Sequence, residues 1–178
     1  FHHDMFITEN YVVVVDGSCR FDPKGVVKKK PLWTLDTGAN LRFGVYPRKS
    51  EKLTAEAFIW IEADVPAEIV HTLHAEDKDG KIVLWAPVSF HKPDPDEQDG
   101  RILGDLGPLT MHHIVIDVHA ETVRLEQVAS GKDYITEFPR VRDDRIGSHT
   151  RYGFSAIQEE GAEFNFRGFL KWDFETAG

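Results

Sequence analysis

Apolar residues in this chain recur mostly at every second position, as in YVVVVD (11–16), rather than at the helical spacing, and they are rich in Val, Ile, Phe, Trp and Tyr. The pattern predicts strands over 5–8, 11–16, 41–47, 56–63, 67–74, 81–87, 111–118, 122–128, 134–138, 151–157 and 164–174, with little helix. Turn-type residues separate them in TEN, DKDG, HAET and QEEGAE, and Asp79-Gly80 is the strongest hairpin signal. The polar, Pro- and Gly-containing stretch HKPDPDEQDGRILGDLG (91–107) reads as a surface loop rather than a linker between domains.

A repeat underlies the alternation. HDMFITENYVVVVD, HTLHAEDKDGKIVLWAP and RYGFSAIQEEGAEFNFRGFLKWDF each begin on a polar residue (His3, His71, Arg151), run through a short strand into an acidic turn, and return as an apolar strand. Serially repeated small sheets are the signature of propeller blades. Roughly two to three such units cannot close a ring and would leave open edges. The expectation is therefore an all-β chain in which residues 1–178 are a single fragment of one β-propeller domain.

Composition narrows the function. With 178 residues and 41% hydrophobic side chains there is material for one core. A formal charge of −9 argues against nucleic acid as a partner, and the basic run Lys28 to Lys30 is too short to reverse that. The single cysteine, Cys19, can form no disulfide within the chain, which favours a reducing intracellular compartment, cytoplasm or plastid. No apolar run approaches the roughly 18 residues of a spanning helix, and no secretory pattern opens the sequence.

Candidate chemistry rests on histidine. The chain has nine, with one Cys and no CxxC, HExxH, GxSxG, P-loop or dinucleotide fingerprint. His3 and His71 head two analogous hairpins, and all-histidine ligation suits a divalent first-row metal with open positions. Adjacent His112 and His113 on one strand point to opposite faces, so they are expected to be structural or surface residues, and His2 beside His3 should face away from it. His149 and Arg151 read as surface or packing residues. Phe58, Trp60, Trp85, Phe154, Phe169 and Trp172 are aromatic strand residues that could line an apolar tunnel but are expected more often in the sheet-packing core.

At these residues the chain resembles the carotenoid cleavage oxygenases, nonheme iron dioxygenases that split conjugated double bonds. HDMFITENYVVV is similar to the family's HDxxIT-x-N-Y strand, RFGVYPR (42–48) to RFGVxPR, and WIEADVPAEIVHTLHAEDKDGKIV to its HxxNAxEE segment. ITEFPRV with IGSHTRYGF is similar to EFPR followed by G-x-x-x-RY, and FLKWDFETAG to LVKxDLxTG. The resemblance implies a seven-bladed propeller carrying Fe2+ on its axis, held by four histidines of which His3 and His71 are two, with glutamates bracing three of them. Glu137, in EFPR, takes that bracing role. No catalytic residue beyond the metal site is implied. The implied reaction consumes O2 and converts one double bond of a polyene, held in an apolar tunnel, into two carbonyl products. The wording is nearest the epoxycarotenoid- and apocarotenoid-cleaving branches. A stilbene-cleaving oxygenase of the same family and a non-enzymatic propeller scaffold are the alternatives.

The resemblance places the other two ligand histidines outside this chain, so the piece alone is expected to be inactive. It also allows peripheral membrane contact by the full-length protein. Departures are His74 where Asn is usual, Glu76 and Asp77 at a Trp-Glu-like position, Asp143 and Asp144 for Pro-Arg, and Ser148 for Arg. Phe6 stands where a small residue is common, which either narrows a cavity or fills it.

Overall fold

The alternation in YVVVVD sends Val13 and Val15 into the core and leaves Val12 and Val14 half-buried, the burial expected of a strand with one face on the core. The computed structural model describes residues 2–28, 32–36, 38–50, 54–90, 107–159 and 165–176. The predicted loop at 91–107 lies, except for Gly107, outside the described residues.

The strands form successive antiparallel sheets. The first has the order β1 (Met5–Ile7), β2 (Tyr11–Asp16), β5 (Arg42–Pro47), β6 (Ile59–Glu62). Between β2 and β5 the chain leaves the sheet as a small hairpin, β3 (Cys19–Phe21) and β4 (Trp33–Leu35), with a short helix α1 (Pro23–Val27) in its connection. Asp22 caps α1 by accepting from the N–H groups of Lys24 and Gly25 at 3.1 and 2.9 Å, with Pro23 at the first helical position. The alternation did not anticipate this excursion.

In the second sheet, β8 (His74–Lys78), β9 (Lys81–Phe90), β10 (Thr110–Asp117) and β11 (Thr122–Gln127) run as a meander, and β7 (Ala67–Glu68) pairs with the far end of β9. The β8–β9 turn is made by Asp79 and Gly80 with φ of 51° and 75°, two consecutive left-handed residues whose twist matches the hairpin. The third sheet has the order β12 (Thr136–Arg140), β13 (Tyr152–Gln158), β14 (Phe166–Asp173).

Three expectations are corrected. The expected strand at 67–74 is not one: only Ala67 and Glu68 form β7, pairing with Ser89 and Phe90, β8 begins at His74 and pairs with Lys81 to Trp85, and the residues between leave the ladder. His71 therefore stands on an irregular stretch rather than on a strand. The third repeat unit is indeed a hairpin, β13–β14, but it is one strand out of phase, because β12 holds the place that β1 and β8 hold in their sheets. The aromatics divide: Trp85 and Trp172 are buried, while Trp60, Phe154 and Phe169 (83% exposed) face outward. Arg42 lies over the Trp60 ring, 4.6 Å from its centre. Phe6 fills the main core, beside Val13, Phe43 and Ile61.

The first two sheets are clasped at both ends of β1. Asp4 Oδ2 accepts from the backbone N–H and hydroxyl of Thr72 at 2.9 and 2.8 Å. At the other end, Asp77 accepts from the Thr8 hydroxyl and from both the backbone and side-chain amides of Asn10, each at 3.0 Å. Asp4, Thr8 and Asn10 of HDMFITEN thus lock the first sheet onto the second. Asp77→Ala is expected to destabilise the intact protein by about 2 kcal/mol in urea unfolding, the loss of a three-bond carboxylate partly offset by solvent. Asp77→Asn, which keeps one acceptor, should lose less.

His74 faces inward from β8 with its side chain at 0% exposure, its ring stacked on Phe174 at 4.8 Å. Neither ring nitrogen has a hydrogen-bond partner, and Glu76 Oε2, 3.9 Å from Nε2, is beyond bonding reach. Burial pushes the imidazole down to about 4. A depressed imidazole contributes stability above its unfolded value near 6.5, and that contribution is lost as pH falls toward 4. Relative to His74→Leu, the wild type is expected to lose up to about 3 kcal/mol between those pH values, read by denaturant unfolding across a pH series.

Candidate metal centre

Residues at or just before the strands β1, β8 and β12, one from each sheet, are brought together. His3 is separated from β1 by Asp4, His71 lies between β7 and β8, and Glu137 lies on β12. The rings of His3 and His71 sit edge to face, centres 4.6 Å apart at 84°. His71 Nδ1 is 2.6 Å from Glu137 Oε2. A carboxylate only accepts, so Nδ1 carries the proton and Nε2, across the ring, keeps its lone pair.

Glu137 is 7% exposed, not the solvent-facing strand carboxylate that alternation alone would allow. The hydrogen bond to Glu137 raises His71 above its ordinary 6.5; burial opposes this, and the charges of Glu137 and Asp4 reinforce it. In the metal-free protein the His71–Glu137 ion pair is therefore stabilising below the unfolded value near 6.5, and that stability is lost as pH rises through the raised one.

One further residue converges on His71 against expectation. Neighbours on a strand point to opposite faces, yet the Phe138 ring lies 5.1 Å from the His71 ring while Glu137 bonds the same imidazole. A bulge makes this geometry. Glu137 pairs with Ala156 and Arg140 with Phe154, so β12 has one more residue than β13 there. Phe138 takes φ +49°, the left-handed region, at a cost of about 1–3 kcal/mol for a bulky side chain. Pro139 follows, and its missing N–H suits the unpaired position. The Phe138 N–H donates to Glu137 Oε2.

The donor set fits a ligated cation as far as it extends. Two imidazoles bound at about 2.1 Å through ring nitrogens, at right angles about one ion, put their ring centres roughly 4.5 Å apart. His3 and His71 match that separation. Nδ1 of His71 is tied to a carboxylate, as in histidine ligands generally. Among the described residues no group of three or more His, Cys, Asp or Glu could hold a metal ion.

Four other described histidines make their contacts elsewhere. His2 bonds the carbonyl of Val15, and His112 is buried with Nδ1 on the carbonyl of Thr110. His113 packs on Trp85, and His149 lies on the surface 3.1 Å from Glu76. Sequence reading missed Phe138, Asp4 and Thr72. Asp4 and Thr72 had a signal in their adjacency to the two candidate ligands; Phe138 had none, because a residue before proline is expected to be extended.

The whole chain, residues 1–178, matches the family model described as retinal pigment epithelial membrane protein. Similar curated proteins include carotenoid 9,10(9',10')-cleavage dioxygenase 1 of Arabidopsis thaliana, 28% identical over 173 residues that make up 96% of this chain and 31% of that protein. The carotenoid 9,10(9',10')-cleavage dioxygenase of Crocus sativus is 26% identical over 174 residues, 96% of this chain and 30% of that one. Among solved structures, Pseudomonas brassicacearum lignostilbene dioxygenase superimposes with a TM-score of 0.76 at 23% identity, covering 98% of this chain and 38% of that one. Cobalt-substituted Synechocystis ACO gives 0.75 at 20%, covering 100% and 37%. The structural likeness shows a shared fold, and the chain spans about a third of the length of the curated relatives it matches.

Replacing Glu137 by Gln removes the charge that holds the imidazole. His71 is then expected to titrate lower than in the wild type, followed by NMR of the ring protons. Divalent-metal affinity of the intact protein should fall by about 10- to 100-fold.

Proposed function

This chain belongs to the retinal pigment epithelial membrane protein and carotenoid cleavage dioxygenase family, and we propose that it is part of an Fe(II)- and O2-dependent enzyme that cleaves a conjugated double bond of a carotenoid or apocarotenoid. The observation that carries this is the pairing of His71 Nδ1 with Glu137 beside a second imidazole at right angles. The proposed architecture is a seven-bladed propeller, to which the three sheets contribute and whose axis lies on the side of β1, β8 and β12. Two further histidine ligands would come from other parts of the intact protein, so these 178 residues alone are expected to be inactive.

In this reading His3 and His71 offer ring nitrogens to the iron, and Glu137 keeps the His71 proton on Nδ1 so that Nε2 stays available. Iron bound there would supply the activation of O2, which amino-acid side chains do not. Phe138 puts apolar surface beside His71, with the Phe166 ring packed on Phe138 at 5.3 Å. One oxygen atom reaches each carbon of the cleaved bond, so two carbonyls form from one O2 with no external reductant.

Two further expectations belong here. Among the described residues no helix is long and apolar enough to cross a membrane. The β3–β4 excursion, however, exposes Phe21, Val26 and Val27 beside Lys24 and Lys28, a composition suited to peripheral contact with an anionic lipid surface. A reducing compartment, cytoplasm or plastid, is the proposed location.

The test is iron content and turnover of the intact protein with an all-trans apocarotenal and, separately, a hydroxystilbene. Wild type is expected to hold about one iron and cleave the apocarotenal in preference, and His71→Ala and His3→Ala to lose both iron and turnover. Full iron and activity in His71→Ala would refute the assignment, and a preference for the hydroxystilbene would move the substrate class within the family.

A further inference from the structure

We infer that Phe138 is a positioning residue for the His71 imidazole, an inference that rests on the metal reading above. Three observations converge on it. Its ring lies against the His71 ring at 5.1 Å and 43°, and Phe166 packs edge-on against it at 5.3 Å, so His71 has both this ring and His3 as aromatic neighbours. Its backbone N–H donates to Glu137 Oε2, the same oxygen that accepts from His71 Nδ1, so one residue holds both the imidazole and the carboxylate that orients it. And its backbone is left-handed, φ +49°, in the middle of a strand and immediately before Pro139, where extended conformations are favoured.

The third observation turns packing into a functional inference. The other non-glycine residues with positive φ, Asp79 and Glu121, sit in hairpin turns where that conformation is ordinary. Phe138 has no turn to make. With regular alternation its side chain would point away from Glu137's face, and an extended β12 would keep every pairing with β13. The bulge gives up that regularity, and what it yields is two consecutive side chains on one imidazole. Nor does the ring gain the burial that would make it an ordinary core residue, since Phe138 is 45% exposed.

A glycine at 138 adopts φ +49° without strain and removes only the ring, so it separates positioning from folding. In the intact protein, titrated with Co2+ as the probe metal, Phe138→Gly is expected to unfold at the wild-type temperature or above it. It should bind Co2+ at least about tenfold more weakly and shift the cobalt ligand-field absorption band, while Phe138→Tyr keeps wild-type affinity and band. Wild-type Co2+ affinity and spectrum in Phe138→Gly would overturn the inference. So would a loss of stability that accompanies the loss of metal, since the ring would then be supporting the fold. His71→Ala, run beside them, keeps the two readings apart. If it too binds Co2+ like the wild type, the metal reading fails and Phe138 has no ligand to position; if only the Phe138 variants are silent, the metal reading stands and this inference alone falls.

Discussion

The short hydrogen bond from His71 to Glu137 is the contact on which the rest of the site depends. It joins a residue between two strands of the second sheet, β7 and β8, to one inside the third, and it decides which imidazole nitrogen is available. Without a carboxylate at Nδ1, a half-buried histidine would choose its tautomer according to local water, and its ring would turn about χ2. With Glu137 nearly buried and also accepting from the Phe138 N–H, both the proton and the plane of the ring are set before any metal arrives. On the proposed reading, preorganisation of this kind would make a two-histidine constellation usable as part of a larger ligand set.

Such a contact needs its two ends held in register by the sheets that carry them. Asp4 and Asp77 do this for the first pair of sheets, one carboxylate near each end of β1, each binding a partner about 70 positions away in the chain. The same reach that brings Asp4 to Thr72 brings His3 to His71, so the clasp and the candidate ligands share one backbone geometry. For the third sheet the device is the β12 bulge. It costs backbone strain at Phe138 and leaves Pro139 outside the regular ladder, and it aims Glu137 and Phe138 at one target.

Much of this was legible in the sequence. Alternation gave most of the longer strands, because one-sided burial forces a period of two, but not β3, β4 or most of β8, and Asp79-Gly80 gave its hairpin because two left-handed residues are needed there. His3 and His71 stood out as candidates by their equivalent places in a repeat, and Glu137 by its motif; the structure adds that the three lie together. What stayed hidden has physical reasons. Residues 67–74 alternate like one strand, but the length of β9 decides that two short strands share it, and His71 falls in the gap. Trp60, Phe154 and Phe169 have the same β-propensity on either face, so composition could not tell a core aromatic from an outward one. The clasps join residues distant in sequence, which carry no period. Phe138 contradicts its own local preference, and a fold departs from local preference most informatively beside a site.

The central claim, that His3 and His71 are ligands of one iron ion, is tested most directly by anomalous diffraction at the iron edge from crystals of the intact protein. The account predicts a single anomalous peak about 2 Å from a ring nitrogen of each of His3 and His71, on the side of His71 away from Glu137. A peak that touches neither ring, or iron bound elsewhere while His71 stays paired only with Glu137, would contradict it.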